Sequence, residues 1–77
     1  MVSRLTLYTR AGCHLCEQIE DLVATHAASC RLVDVDADTA ARENLGLRVP
    51  VLTCGGAVLL EGRIEERELL AVLKSLR

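Results

Sequence analysis

Two cysteines separated by two residues are the strongest chemical signal in the sequence. Cys13 and Cys16 stand in the segment AGCHLC, with His14 and Leu15 between them. Thiols at this spacing can form a redox couple, supply two ligands to a metal, or only share a turn. Because one helical turn covers about 3.6 residues, a helix that begins here would bring both sulfurs to one side.

The two thiols are predicted to differ in role if this helix forms. Free backbone amides at a helix N-terminus stabilise a thiolate, which is the nucleophile of disulfide exchange. Cys13, at the junction between loop and helix, is therefore the predicted nucleophile. Cys16 lies one turn further, beside the apolar Ile19 and Val23, and is predicted to be less exposed and to resolve the mixed disulfide. His14 would add positive charge when protonated, or would simply face solvent; both interpretations stay open.

The other cysteines and the histidines bear on the metal hypothesis. Zinc ribbons use the same cysteine spacing but need a second pair of ligands, and Cys30, Cys54 and His26 show no paired spacing. We interpret Cys30 as a buried structural thiol at the start of a strand, and Cys54 as a more exposed thiol beside a glycine turn. We predict no metal site, with a carrier of a metal or iron–sulfur cluster held by Cys13 as an alternative.

The composition limits the classes of function. The 77 residues, 51% of them hydrophobic and 26% charged, predict a single globular domain over residues 1–77. A net charge of -2 and a single aromatic residue argue against nucleic-acid binding. No segment has the pattern of a signal peptide or of a membrane span, so we expect a soluble cytoplasmic monomer with no membrane partner. In a reducing compartment, cysteines serve catalysis or metal binding more often than structural disulfides.

Hydrophobic periodicity predicts the element order β-α-β-α-β-β-α. The predicted strands cover residues 4–9, 30–36, 47–53 and 57–60, and the predicted helices cover residues 13–28, 40–45 and 64–76. Gly46 ends the second helix, and Gly55-Gly56 forms a tight hairpin turn. A right-handed βαβ crossover followed by an antiparallel hairpin gives an α/β fold, with a four-stranded mixed sheet and helices on both faces.

Two motifs resemble those of a known family. The segment YTRAGCHLC, residues 8–16, resembles the glutaredoxin pattern Y-[ST]-[KR]-x-x-C-P-Y-C, and Val49-Pro50 resembles the [TV]-P of the same family. The whole chain is similar to the short bacterial glutaredoxin-like proteins. This resemblance implies a thioredoxin-like fold and a thiol–disulfide oxidoreductase. Residues 61–65, EGRIE, depart from the Gly-Gly-x-Asp-Asp segment with which the family binds glutathione.

The resemblance also implies roles for individual residues. Pro50 would follow a cis peptide bond and face the thiols, and the peptide groups of Val49 would pair with a substrate in the manner of a strand. Arg10 would favour the thiolate and a glutathione carboxylate. His14 and Leu15, in place of the family's Pro-Tyr, would contact the substrate.

The partners follow from the same chemistry. We expect a protein disulfide or a glutathione mixed disulfide as substrate, an external reductant that resets the thiols, and no resident cofactor, with glutathione as a possible co-substrate. The alternative is a binding module that keeps this fold without catalysis.

Overall fold

Four strands form one mixed sheet in the computed structural model, which describes residues 5–26 and 29–76. The elements are β1 (Leu5–Thr9), α1 (His14–His26), β2 (Arg31–Asp34), a 3₁₀ helix (Val35–Ala37), α2 (Thr39–Leu45), β3 (Val51–Cys54), β4 (Ala57–Glu61) and α3 (Glu66–Ser75). The strand order is β2-β1-β3-β4, with β1 parallel to β2 and the other pairs antiparallel. The predicted fold class and element order are confirmed.

The main core lies between one face of the sheet and two helices. Alternation along the strands places Leu7 of β1 beside Leu52 of β3 on this face, and both are fully buried. The helices α1 and α3 supply the remaining buried members of the cluster, which are Ile19, Val23, Leu69 and Leu73. With almost no aromatic side chains available, this core consists of leucine, isoleucine and valine.

The opposite face of the sheet is covered by α2. This face carries Tyr8 and Val51, which are partners in the β1–β3 register. Ala41 of α2 is buried, and Ala41 and Leu45 line one surface groove together with Tyr8. Asp38 caps the helix, because its carboxylate accepts a hydrogen bond from the Ala41 N–H at 3.0 Å. The helices therefore cover both faces, as predicted.

The prediction of strand over residues 47–50 is wrong, since β3 begins only at Val51. The Val49–Pro50 peptide bond is cis, and proline has no N–H to donate to a ladder. The residues before it turn instead, with the Arg48 N–H donating to the Leu45 carbonyl at 2.8 Å. A tight turn thus precedes the strand.

The second strand is also shorter than predicted. The Asp34 carboxylate accepts a hydrogen bond from the Asp36 N–H at 2.9 Å, and this contact begins the 3₁₀ helix. Asp36 is therefore not part of a strand. At the other end, Cys30 precedes β2, which begins at Arg31.

The last helix begins two residues later than predicted. The Glu65 N–H donates to the Glu68 carboxylate at 3.0 Å, which is half of a capping box, and α3 starts at Glu66. Ile64 precedes the helix and packs against the core. The predicted ends at positions 4 and 27–28 lie outside the described residues. Among the helices that are described, none is long and apolar enough to cross a membrane.

The predicted glycine hairpin is confirmed. Gly55 and Gly56 join β3 to β4 with φ values of 58° and 89°. Both values lie in the left-handed region that favours glycine, and a two-residue turn of this kind matches the twist of the paired strands.

We predict that Gly46→Ala destabilises the fold. A Cβ atom at Gly46 would lie 2.5 Å from the Arg42 carbonyl oxygen and 3.1 Å from Nη2 of Arg10. The backbone at the end of α2 would have to move, at a cost of about 1–3 kcal/mol in the free energy of unfolding. Urea unfolding measures this loss.

The matched control is Glu43→Ala, which introduces the same side chain at an exposed position of α2. It should change the free energy of unfolding by less than about 0.5 kcal/mol. An unchanged unfolding midpoint in Gly46→Ala would contradict the close approach of Arg10 and Arg42 to Gly46.

Candidate functional site: a dithiol at the start of the first helix

Cys13 occupies the N-cap of α1. Gly12 turns the chain after β1 with a φ of 79°, and the Cys13 N–H donates to the Arg10 carbonyl at 3.3 Å. The Cys13 carbonyl accepts a hydrogen bond from the Glu17 N–H at 3.0 Å, which is the first backbone bond of the helix. The turn at Gly12 therefore places the cysteine at the first free amides of α1.

The Cys13 sulfur uses one of these amides. The Cys16 N–H donates to the Cys13 Sγ at 3.2 Å, in the position where a serine or aspartate oxygen would cap a helix. A sulfur that accepts this bond is stabilised further when it carries negative charge, because both the N–H dipole and the helix dipole point towards it. The arrangement suits a thiolate at Cys13.

Cys16 lies on the buried side of the same turn. Its side chain is fully buried, whereas Cys13 is half-buried, so the predicted order of exposure is confirmed. Burial raises the pKa of the Cys16 thiol, and the hydrogen bond with Cys13 acts in the same direction. A hydrogen bond with Thr9 opposes this shift only in part. Cys16 is therefore kept in its protonated form.

A buried polar contact lies behind Cys16. The Thr9 hydroxyl donates to Oε2 of Glu20 at 2.6 Å and links the end of β1 to the second turn of α1. Thr9 is almost entirely buried. The contact satisfies a hydroxyl that would otherwise be costly to bury beside the core.

The cis-proline lies at the same end of the sheet as the thiols. The register pairs Tyr8 with Val51, so Pro50 lies opposite Thr9, just before the loop that carries Cys13. Pro50 is fully buried and its carbonyl accepts a hydrogen bond from the Gly62 N–H at 2.9 Å. The cis bond that the resemblance implied is present.

The peptide groups of Val49 lie next to this proline. Val49 is half-buried, and within the part of the chain that is described its N–H and C=O have no hydrogen-bond partner. The neighbouring carbonyl of Arg48, by contrast, accepts from the Gly62 N–H at 3.1 Å. An unpaired donor and acceptor of one residue can bind an extended peptide.

Arg10 does not project freely towards the thiols. Its Nε donates to Oδ2 of Asp36 at 2.9 Å, its Nη2 donates to Oδ1 of Asp36 at 3.1 Å, and its Nη1 donates to the Gly46 carbonyl at 2.9 Å. The hydrogen bonds from Arg10 lower the pKa of the Asp36 carboxyl, and those to Asp36 raise the pKa of the Arg10 guanidinium. Arg10 thus joins the ends of β1, the 3₁₀ helix and α2.

His14 and Leu15 lie on the exposed side of the first turn of α1. The Nε2 atom of His14 lies 3.2 Å from Nε2 of Gln18, one turn further along the helix. Helical spacing alone would place Leu15 in one apolar stripe with Ile19 and Val23, but Leu15 is 36% exposed and lies outside the buried stripe. The buried stripe is formed by Cys16, Ile19 and Val23. Both residues between the cysteines are therefore accessible to a binding partner.

Cys30 and Cys54 lie at the opposite end of the sheet. Cys54 pairs with Leu5, and the β1–β2 register places Cys30 on the other side of the same leucine. With two strand spacings of about 4.8 Å between them, their Cα atoms are too far apart for a disulfide. Both thiols are half-buried, and burial raises the pKa of Cys30.

The separation of the cysteines also bears on metal binding. Among residues 5–26 and 29–76, no group of three or more histidine, cysteine, aspartate or glutamate side chains has the geometry to hold a metal ion. In that part of the chain, the Cys13–Cys16 pair therefore does not form a metal-holding group with a third side chain of these types.

Three residues near the thiols were not predicted from the sequence: Thr9, Glu20 and Asp36. A signal for Asp36 was present, because the carboxyl ends of the parallel strands β1 and β2 lie at one edge of the sheet, which brings Arg10 close to the acidic residues after β2. Thr9 and Glu20 carry no such signal, since their contact depends on how α1 packs against the sheet.

A thioredoxin-like fold with two cysteines at the start of its first helix defines a class of thiol proteins, and comparisons with known proteins agree. Residues 4–74 match the family described as Glutaredoxin-like domain (DUF836). The chain belongs to this glutaredoxin-like family, which supports a redox-type function. No curated protein matches the chain.

Solved structures show the same relationship. The X-ray structure of the target protein XcR50 from X. campestris has 38% sequence identity and a TM-score of 0.78, over 92% of this chain and 96% of that one. A mutant thioredoxin from Halobacterium salinarum has 29% identity and a TM-score of 0.67, over 92% of this chain and 71% of that one. Glutaredoxin C1 from populus tremula x tremuloides, at 21% identity and a TM-score of 0.67 over 97% and 87% of the chains, shares the fold.

We predict that alkylation distinguishes the two thiols. Near neutral pH, iodoacetamide should modify Cys13 at least about tenfold faster than Cys16 in the reduced protein, because Cys16 is buried and its raised pKa keeps it protonated. The Cys16 rate should increase only as the pH rises towards that raised pKa. Peptide mapping by mass spectrometry gives the rate at each cysteine.

The same measurement in concentrated urea is the control. Unfolding exposes both thiols and removes the shift of the Cys16 pKa, so the two rates should become similar. Equal alkylation rates in the folded protein, or faster modification of Cys16, would contradict the prediction that Cys13 is the more reactive thiol.

Proposed function

We propose that the protein is a dithiol–disulfide oxidoreductase, in which Cys13 is the nucleophile and Cys16 the resolving thiol. One observation carries the proposal: the Cys16 N–H donates to the Cys13 Sγ at 3.2 Å, while the Cys16 side chain itself is fully buried. One sulfur thus accepts a hydrogen bond from the helix N-terminus and is half-exposed, and the other sulfur is buried one turn further along.

The reaction has two exchange steps. The Cys13 thiolate attacks one sulfur of the substrate disulfide, forms a mixed disulfide with it, and releases the other half as a thiolate that takes a proton from water. Cys16 then loses its proton to solvent and attacks the Cys13 sulfur, which breaks the mixed disulfide and releases the second half of the substrate as a thiolate that takes a proton from water. The substrate gains two electrons and two protons, and the Cys13–Cys16 disulfide is left. An external thiol reductant returns it to the dithiol.

The residues around the thiols support binding of a peptide disulfide. The unpaired N–H and C=O of Val49 would pair with the substrate backbone beside its cysteine, as an added strand does. Pro50, the next residue, has no N–H, so it does not compete with the Val49 N–H for a carbonyl of the substrate. His14 and Leu15 are exposed beside Cys13 and would contact the same substrate.

We predict that Cys16→Ser halts the reaction after its first step. In a background with Cys30 and Cys54 replaced by alanine, the protein with both active-site thiols should release two equivalents of thiopyridone from dipyridyl disulfide and finish with a Cys13–Cys16 disulfide. The Cys16→Ser variant should release one equivalent and keep a stable mixed disulfide on Cys13, because no second thiol attacks it. Absorbance and intact-protein mass measure both outcomes.

The matched variant is Cys13→Ser in the same background. It should lose the fast reaction altogether, because the remaining thiol is buried and protonated. If Cys13→Ser reacted as fast as the parent and reduced a peptide disulfide equally well, the role of Cys13 as the nucleophile would be wrong. If the parent itself reduced no peptide disulfide, a binding role without catalysis would replace the proposed function.

A further inference from the structure

Two arginines, one before the cysteines and one before the cis-proline, are already bound to carboxylates of the protein. Arg10, three residues before Cys13, forms a two-pronged ion pair with Asp36 and a third hydrogen bond to the Gly46 carbonyl. Arg48, two residues before Pro50, donates from Nε to Oε2 of Glu61 at 2.8 Å, and its Nη2 contacts the same oxygen. Each cation is thus neutralised by a partner on a neighbouring segment.

These pairs oppose binding of a substrate carboxylate. A guanidinium offers its donors in a fixed planar fork, and in Arg10 three of the donor positions are used within the protein. A carboxylate on the substrate would have to displace Asp36, which lies in ideal two-pronged geometry and is part of the same chain. Arg10 is therefore positioned to hold the fold together and not to attract an anion.

Negative charges line a cleft beside the loop that precedes Cys13. A cleft of about 450 Å³ runs between the loop at residues 9–12 and α1, and three carboxylates line it, from Glu17, Glu20 and Asp34. Arg10 is the one cation in its lining, and Asp36 neutralises it. The Glu20 carboxylate accepts a hydrogen bond from the Thr9 hydroxyl, which is a neutral partner and not a cation. A substrate whose flanking residues extend from Cys13 over this cleft, on the β2 side of the loop, meets the field of these carboxylates.

We propose that Asp36 and Glu61 determine the substrate class, because by binding Arg10 and Arg48 they leave a site that prefers disulfides flanked by uncharged or basic residues. The favoured substrate is a peptide or protein disulfide of that kind. A disulfide with carboxylates close to the sulfur, as in glutathione, is disfavoured. Asp36 and Glu61 are positioning residues that act through the arginines. The inference rests on the proposed exchange reaction.

Two matched peptide disulfides test the selectivity. They differ at one position beside the cysteine, which is lysine in one and glutamate in the other. At low ionic strength the dithiol protein should reduce the lysine peptide, in a single turnover, with a second-order rate constant about tenfold higher, since a field of this kind acts mainly on the encounter rate. The ratio should fall towards one as salt screens the charges. A ratio of one or less at low salt would overturn the inference.

The variant Asp36→Asn separates positioning from stability. It releases Arg10 from its ion pair, so the reduction of the glutamate peptide should rise and the lysine-to-glutamate ratio should fall several-fold. A purely structural loss would lower both rates together and leave the ratio unchanged, which would contradict the role of Asp36. Asp21→Asn is the control: it removes the same charge from an exposed position of α1 outside the cleft, and should leave the ratio as it is.

The outcomes distinguish this inference from the proposed function. If the wild-type protein reduced neither peptide, the oxidoreductase proposal would fail together with the selectivity. If it reduced both peptides at equal rates, only the selectivity would be wrong.

Discussion

The hydrogen bond from the Cys16 N–H to the Cys13 sulfur is the contact on which the site depends. It forms only if Cys13 is the N-cap of α1, with the helix starting at the next residue. That start is set by Gly12, whose φ of 79° turns the chain from the end of β1 into the helix. A residue with a Cβ atom would be strained there by about 1–2 kcal/mol. The same helical turn that offers an amide to one sulfur carries the other sulfur into the core, so one backbone geometry gives the two thiols different properties.

The surroundings of this turn are held by polar contacts from other segments. Arg10 joins the chain before the cysteines to Asp36 and Gly46, and Gly46 tolerates this approach because it lacks a Cβ atom. Thr9 and Glu20 make a second link from β1 to α1. In a chain of 77 residues the core is small, and such contacts fix the position of a loop that the core does not reach. The Asp36 carboxylate also balances the positive charge of Arg10.

Much of the fold follows from the sequence because its signals are local. Each of three features depends on a few neighbouring residues: the strand β1, the Gly55-Gly56 hairpin and the end of α2 at Gly46. The spacing of the two cysteines left a redox couple and a metal site both open, and their place at the start of a predicted helix favoured the redox couple. The cis bond before Pro50 was implied by family resemblance and not by the residues themselves.

The features that sequence reasoning missed depend on tertiary contacts. Leu15 looks like a core residue by periodicity, but the rotation of α1 against the sheet buries Cys16 in its place and leaves Leu15 exposed. The partner of Arg10 lies 26 positions away in the chain and is chosen by strand order. The periodicity of the sequence is compatible with several rotations of α1 about its own axis, and Arg10 could pair with any of several acidic residues. Only the packed structure selects one rotation of the helix and one partner for the arginine.

The central claim is that Cys13 and Cys16 form one redox couple, and the equilibrium of the thiols tests it most directly. The protein would be equilibrated with defined ratios of reduced and oxidised dithiothreitol, which is uncharged, and its disulfides mapped by mass spectrometry after acid quenching. The account predicts a single two-electron transition that joins Cys13 to Cys16, with Cys30 and Cys54 reduced throughout. The absence of any transition under oxidising ratios, or a disulfide that joins either residue to Cys30 or Cys54, would contradict it.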